Sequence, residues 1–192
     1  MLLENKLQDK KIYVFLNTAK DVEEYKAAHK SDLKVEYVIH GKTGLKDTRN
    51  YMTKYFSPGS RVMYLDDDLT GINKGEPSGM TSKRVYNLGE LANKGFQLCK
   101  SKGFGKWGLN PSNNQRSLKN TEITFDLRYV KSLYGEIVNH KVINTVTYAE
   151  DFERTIQYYI IYGGIVRFNN YTAKTSDYAK GGLEEAGRDK QK

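Results

Sequence analysis

The chain has 192 residues and a formal net charge of +8, from 31 Lys and Arg against 23 Asp and Glu. Apolar residues make up 38% and charged residues 28%, with a mean hydropathy of -0.70; this suits one domain with a real core and argues against wholesale disorder. No apolar run approaches the roughly 18–20 residues of a spanning helix, and one cysteine, Cys99, excludes a disulfide framework or an all-cysteine metal site.

Ile12–Leu16 is a continuous apolar run and reads as a strand buried on both faces. Asp21 to Lys30 places Val22, Tyr25, Ala28 and His29 on one side of a short helix, with Thr18 or Asp21 as N-cap. Val35–Ile39 is a second strand, Thr48 to Phe56 a helix stopped by Ser57-Pro58-Gly59, and Arg61–Leu65 a third strand. Residues 69–84, with Gly71, Gly75, Pro77 and Gly79, read as a long loop. Leu88, Leu91, Ala92, Phe96 and Cys99 mark one face of the next helix, and Cys99 reads as a small core residue.

A strand near Trp107–Leu109 and a polar loop from Asn110 to Asn120 follow. Ile123–Val130 and Val142–Tyr148 have β character, and Glu150–Tyr162 is a helix ended by Gly163-Gly164. Ile165–Phe168 is a last strand, and the residues after Lys180 are a polar tail. Strands alternate with helices over the first hundred residues. The expected fold is therefore α/β: a mostly parallel sheet with helices on both faces and some antiparallel additions, in one domain over 1–192.

The charge surplus is uneven. Residues 40–64 carry +4 and residues 91–121 carry +6 without an acid, and between them Asp66, Asp67 and Asp68 give residues 65–72 a charge of −3. The layout fits a polyanion beside a metal-binding carboxylate cluster, or else a solvated basic face without a partner. At the end of a buried strand, an aspartate triplet stands where open α/β sheets bind ligands, and carboxylates there hold Mg²⁺ or Mn²⁺ on a diphosphate. The alternative is an exposed acidic turn. Gly44 to Asn50 is a glycine turn entering a helix, which can bring Arg49 to a phosphate. Glu150-Asp151 opens a helix, either as a dipole-favoured cap or as a general base. Gly-x-Gly-x-x-Gly, Walker A and Gly-x-Ser-x-Gly patterns are absent, and His29, His40 and His140 lack metal-ligand spacing.

Gly44…Arg49-Asn50, the strand ending in Asp66-Asp67-Asp68, Trp107-Gly108 and Glu150-Asp151, in that order, resemble a GT-A glycosyltransferase. Glu150 to Glu153, Gly164 to Asn169, Lys174-Thr175 and Gly181 to Leu183 are similar to the TET/JBP-associated glycosyltransferases of phages and some eukaryotic viruses. The resemblance implies a GT-A-like three-layer α/β/α fold whose first strand would precede Met1 and whose usual C-terminal part would follow Gly182. It implies inverting, metal-dependent transfer of a hexose from a nucleotide-sugar, a UDP-hexose, to hydroxymethylated pyrimidine in DNA.

By the same resemblance, Asp66 and Asp68 hold Mn²⁺ or Mg²⁺, Asp67, Arg49 and Trp107 bind the donor, and Asp151 or else Glu150 is the base. Arg167, Lys174, Lys106 and Arg116 are candidates for acceptor or donor phosphate, and Phe104 and Trp107 for stacking on a base. The expected setting is a host cytoplasm. Two other readings stay open: an inactive nucleic-acid-binding module, and a nucleotidyltransferase.

Overall fold

The computed structural model describes residues 5, 7, 9–29, 33–118 and 121–176. Strand β1 (Ile12–Leu16), helix α1 (Ala19–Ala28), strand β2 (Val35–Ile39), helix α2 (Leu45–Tyr55) and strand β3 (Arg61–Leu65) follow the expected order. Thr18 caps α1 through a capping box with Asp21, which places the helix start three residues before Asp21 itself. The chain then forms β4 (Leu69–Gly75), β5 (Ser82–Val85), α3 (Leu88–Lys102), β6 (Lys106–Asn110), a 3-10 turn (Gln115–Leu118) and β7 (Ile123–Thr124). It ends, over the described residues, with β8 (Leu133–Ile137), α4 (Glu150–Tyr162) and β9 (Val166–Thr175).

The sheet differs from the expected one. Strands β1 and β2 are a parallel pair by themselves, and the main sheet runs β3-β8-β6-β9-β4-β5, with β7 on β9. Of its contacts only β6–β9 is parallel; β3–β8, β6–β8, β4–β9, β4–β5 and β7–β9 are antiparallel. The mostly parallel GT-A-like three-layer architecture is therefore corrected to a mixed, mainly antiparallel sheet. The physical reason lies in the partner of β3. Its backbone groups pair with β8, from Arg61↔Ile137 to Leu65↔Leu133, rather than with β1.

Strand β8 had no visible sequence pattern because Gly135 and Glu136 interrupt it. A side chain at Gly135 would stand 2.1 Å from Trp107 Nε1, so the glycine is the condition for packing the indole on the sheet. The loop expected over 69–84 is instead the β4–β5 hairpin. A Cβ at Gly75 would lie 2.4 Å from Leu118; this glycine permits close approach inside a strand. Conversely, residues 125–130 and 142–148, expected to be strands, are irregular.

Two packed clusters lie on the two faces of the central strands. Leu88, Leu91, Phe96 and Cys99 of α3 meet Trp107, Leu109, Leu133 and Phe168. Tyr158 of α4 meets Tyr64, Val130 and Tyr134, with Met52 of α2 alongside. Adjacent residues of β8, Leu133 and Tyr134, serve opposite clusters, as strand alternation requires. Tyr64 and Tyr134 stack across the β3–β8 pair at 5.2 Å. Among the described residues no helix is long and apolar enough to cross a membrane. The polar tail, the Gly181 to Leu183 segment, Lys119 and residues 1–4 fall outside the described residues.

Candidate functional site

Strand β3 ends at Leu65 and delivers Asp66, Asp67 and Asp68 to the rim of the sheet. From α2, Arg49 Nη2 donates to Asp66 Oδ1 at 2.6 Å. Arg49 is 9% exposed, and its guanidinium lies over the Tyr64 and Tyr134 rings at 5.7 and 6.0 Å. Burial opposes its charge, but Tyr134 and Asp66 outweigh burial and raise its pKa, so it stays protonated.

Segment 143–146 brings in the second pair of acids. Asn50 Nδ2 donates to the Asn144 carbonyl at 2.9 Å, and Asn50 Oδ1 accepts from its N–H at 2.8 Å. Gln157 binds Ile143 in the same two-handed way, and Glu153 accepts from the N–H groups of Thr145 and Val146. Side chains of α2 and α4 thus satisfy a backbone that has no strand partner, which explains the missing 142–148 strand. The clamp sets the start of α4 against α2. Glu150 is 7% exposed, and burial raises its pKa, with help from Asp151 and Asp66, against Arg49 and its own backbone N–H. Asp151 accepts from Phe152 N–H through Oδ1 and from the Tyr129 hydroxyl through Oδ2. Burial and the Asp151 contact raise the pKa of Tyr129, to which Glu150 and Asp66 add; its ring stacks on Phe152 at 3.5 Å.

Residues 49, 66, 129, 150 and 151 therefore share one electrostatic environment. Both described non-glycine residues with positive φ adjoin it: Ser132 (59°) and Ala149 (58°). The Ser132 carbonyl accepts from Asp66 N–H at 3.0 Å, and Ala149 is the N-cap of α4. Left-handed backbone at such residues is costly and concentrates at functional sites.

Beneath this rim lies a second charged group, wholly enclosed. Glu136 accepts from Lys106 Nζ at 2.6 Å and from Arg154 Nη2 at 2.6 Å and Nε at 2.8 Å. Arg154 also donates to Thr53 Oγ1 at 2.8 Å. Burial alone would raise the pKa of Glu136, but Arg154 and Lys106 hold it down at about 2. Lys106, expected on a phosphate, is 0% exposed; it is corrected to a core cation over the Tyr134 ring at 3.4 Å.

Trp107 is likewise corrected from donor binding to core packing, at 0% exposure against Phe96 and Phe168. Phe104 packs on the edge of the same cluster and is partly buried, whereas Trp107 presents no face to a base. Lys94, Lys100 and Lys102 are exposed on α3, and Arg116 is exposed on the 3-10 turn, so the basic stretch is divided between elements rather than forming one tract. Arg167 is half-buried with Nε on Asn169 Oδ1 at 2.7 Å, and Lys174 is exposed on β9.

Next to the cluster is a cleft of about 170 Å³ lined by Asp68, Asn110, Asn113, Lys131, Thr172 and Thr175, among others. Burial raises the Asp68 pKa, Asp66 and Asp67 add to it, and Lys131 opposes. The segment 129–132 joins both places, with Tyr129 on Asp151 and Lys131-Ser132 on the cleft. Tyr129, Lys131, Glu136 and Arg154 carried no sequence signal, because each acquires its role from a partner 18 or more residues away.

The aspartate triplet does not fit a cation held by the protein. Asp66 Oδ1 is taken by Arg49, Asp67 is exposed and accepts from Tyr25 OH at 3.5 Å, and Asp68 enters the cleft with Lys131. The three carboxylates face three different partners, and among the described residues no group of three His, Cys, Asp or Glu could hold a metal. Comparison with protein-family models, curated proteins and solved structures finds no match.

Proposed function

We propose that this chain transfers a glycosyl group from a nucleotide-sugar to a hydroxyl acceptor at the rim formed by β3 and the start of α4. The observation that supports this reading is the convergence of Arg49–Asp66 with Glu150, Asp151 and Tyr129, drawn from four separate segments. An acceptor hydroxyl needs a proton acceptor, and a carboxylate held above its ordinary pKa is suited to that task. Glu150 is that group. Both oxygens of Asp151 already accept hydrogen bonds, so Asp151 orients Tyr129 and the helix start, which reverses the order of preference read from the sequence.

In the reaction, the acceptor oxygen attacks the anomeric carbon as the bond to the nucleotide's terminal phosphate oxygen breaks. The hydroxyl proton passes to Glu150, and the nucleoside diphosphate leaves. Attack opposite the leaving group inverts the anomeric centre, as in single-displacement glycosyl chemistry. Arg49 supplies fixed positive charge near the carboxylate cluster, where charge on the leaving group is stabilised. No step is assigned to a metal ion, because the aspartates diverge.

The experiment is transfer of labelled sugar from UDP-hexoses to hydroxymethylated DNA, unmodified DNA and glycan acceptors, with Mn²⁺ or Mg²⁺ and with chelator. Transfer to one acceptor class, lost in Glu150→Gln, supports the reading. No transfer to any acceptor and no release of UDP under either condition would overturn it.

A further inference from the structure

We propose that the outward face of α4 is a docking surface for a second copy of this chain, paired antiparallel about a two-fold axis near Ile156. The inference is independent of the glycosyl-transfer reading. Helix α4 is amphipathic in the reverse of the usual sense. Its buried positions are Glu150, Arg154, Thr155 and Tyr158, and its exposed positions are Phe152, Ile156, Ile160 and Ile161. Asp151, Glu153 and Gln157 are half-buried and bonded to the chain's own Tyr129 and 143–146 segment.

Phe152, Ile156, Tyr159 and Ile160 follow an i, i+4, i+7, i+8 spacing and so form one stripe along the helix. Glu153 accepts from Val146 N–H at 3.1 Å, which sets Val146 at the edge of the stripe, and Tyr148 stands just before the helix start. Val146, Tyr148, Phe152, Ile156 and Ile160 are between 42% and 74% exposed. At about 200 Å² for a large side chain, they expose roughly 500 Å² of mainly apolar surface. A standard interface takes about 800 Å² from each partner, and about 65% of a homodimer interface is apolar, so the face has the area a stable dimer needs. Single apolar residues at a surface need no explanation, but a contiguous stripe of this size marks an interaction site.

Charge selects the occupant. A helix that lies on a membrane keeps Lys and Arg beside its apolar face, whereas the one cation of α4, Arg154, is 1% exposed and held by Glu136. The stripe carries no charge, so two copies, each with a net charge of +8, meet there without opposing like charges. The acids of α4, Glu150, Asp151 and Glu153, all stand in its first turn. A parallel pair would set them against their copies. An antiparallel pair holds the two Asp151 positions about 15 Å apart along the axis. It places Phe152 against the partner's Ile160 and Ile156 against its own copy, as an isologous contact requires. Because Phe152 stacks on Tyr129, whose hydroxyl donates to Asp151, the interface borders the rim.

Sedimentation equilibrium on the full chain tests the proposal. A species of twice 22.0 kDa is expected, in exchange with monomer. Ile156→Glu and Ile160→Glu, both at exposed positions, are each expected to raise the dimer Kd about 30-fold or more, since each change enters the interface twice; unchanged far-UV circular dichroism checks their folding. Ile156→Cys is expected to give a disulfide-linked dimer under copper–phenanthroline oxidation, and Tyr148→Cys is not; the native Cys99 is 0% exposed and is expected not to react. A chain that stays monomeric, a dimer whose Kd neither glutamate variant changes, or cross-linking through Tyr148→Cys rather than Ile156→Cys would each overturn the proposal. Co-sedimentation of a monomeric chain with phosphatidylcholine–phosphatidylglycerol vesicles would overturn it in favour of a membrane surface.

Discussion

Two charged groups stand one above the other in this molecule, and they use the same side-chain chemistry in opposite ways. In the interior, Glu136 is surrounded by Lys106, Arg154 and Tyr158, and the carboxylate has a cation on each oxygen. At the rim, Asp66 has Arg49, but Glu150, Asp151 and Asp68 outnumber the cations beside them. The interior group is held far below the ordinary carboxylate pKa, whereas Glu150 and Asp68 are held above it. Charge density does not mark the site. Carboxylates whose charge is left uncompensated do, because only those gain by meeting a proton or a ligand.

The sharpest way to break this contrast is to damage the interior. Glu136→Ala leaves Lys106 and Arg154 buried without their acceptor and is expected to cost about 3–5 kcal/mol in urea denaturation. Replacing all three together, Lys106→Met with Glu136→Leu and Arg154→Leu, is expected to recover most of that loss, since apolar groups need no partner. A triple variant as unstable as the single one would mean that the network does more than satisfy itself.

Glu150→Gln tests the rim. Transfer is expected to fall by roughly 10²-fold or more while stability changes by less than about 1 kcal/mol. The wild-type kcat/KM is expected to decline as pH falls, with a midpoint above 4.5, because burial raises the Glu150 pKa above that ordinary value and a protonated Glu150 takes no proton. Wild-type activity for Glu150→Gln alongside an inactive Asp151→Asn would exchange the two roles.

The pH dependence of stability separates the groups from the other side. The Glu136 pKa is lowered from 4.5 to about 2 on folding, so its contribution is complete above pH 4.5 and is lost as pH falls through about 2. The urea midpoint of the wild type is expected to drop over that window, and that of the triple apolar variant to drop less. The smallest effect belongs to Tyr129→Phe. Loss of its hydrogen bond to Asp151 is expected to cost about 1 kcal/mol, with the Phe152 stack kept.

Much of the local structure was readable in advance. The strands Ile12–Leu16, Val35–Ile39 and Arg61–Leu65 and the helix Glu150–Tyr162 stand where apolar runs and periodicity put them. The aspartates, Arg49 and the Glu150-Asp151 pair were visible as motifs, and the structure places Arg49 and Asp66 2.6 Å apart. Lys106 and Trp107 were misread because a basic or aromatic residue looks the same whether it serves a surface or a core. Their burial depends on Glu136, Gly135 and the whole of β8, a strand without a clean alternating pattern.

The sequence by itself determined the local elements that rest on neighbouring residues: the capping box of α1, the apolar runs of the first three strands and the periodicity of α3 and α4. Only the tertiary structure decided strand partners, and with them the fold. Pairing β3 with β8 instead of β1 joins residues some 70 positions apart, and nothing in either segment's own pattern states that choice. The same holds for charge. Composition reports how many cations and carboxylates exist, but which carboxylates remain uncompensated depends on distances between segments that meet only in the folded chain.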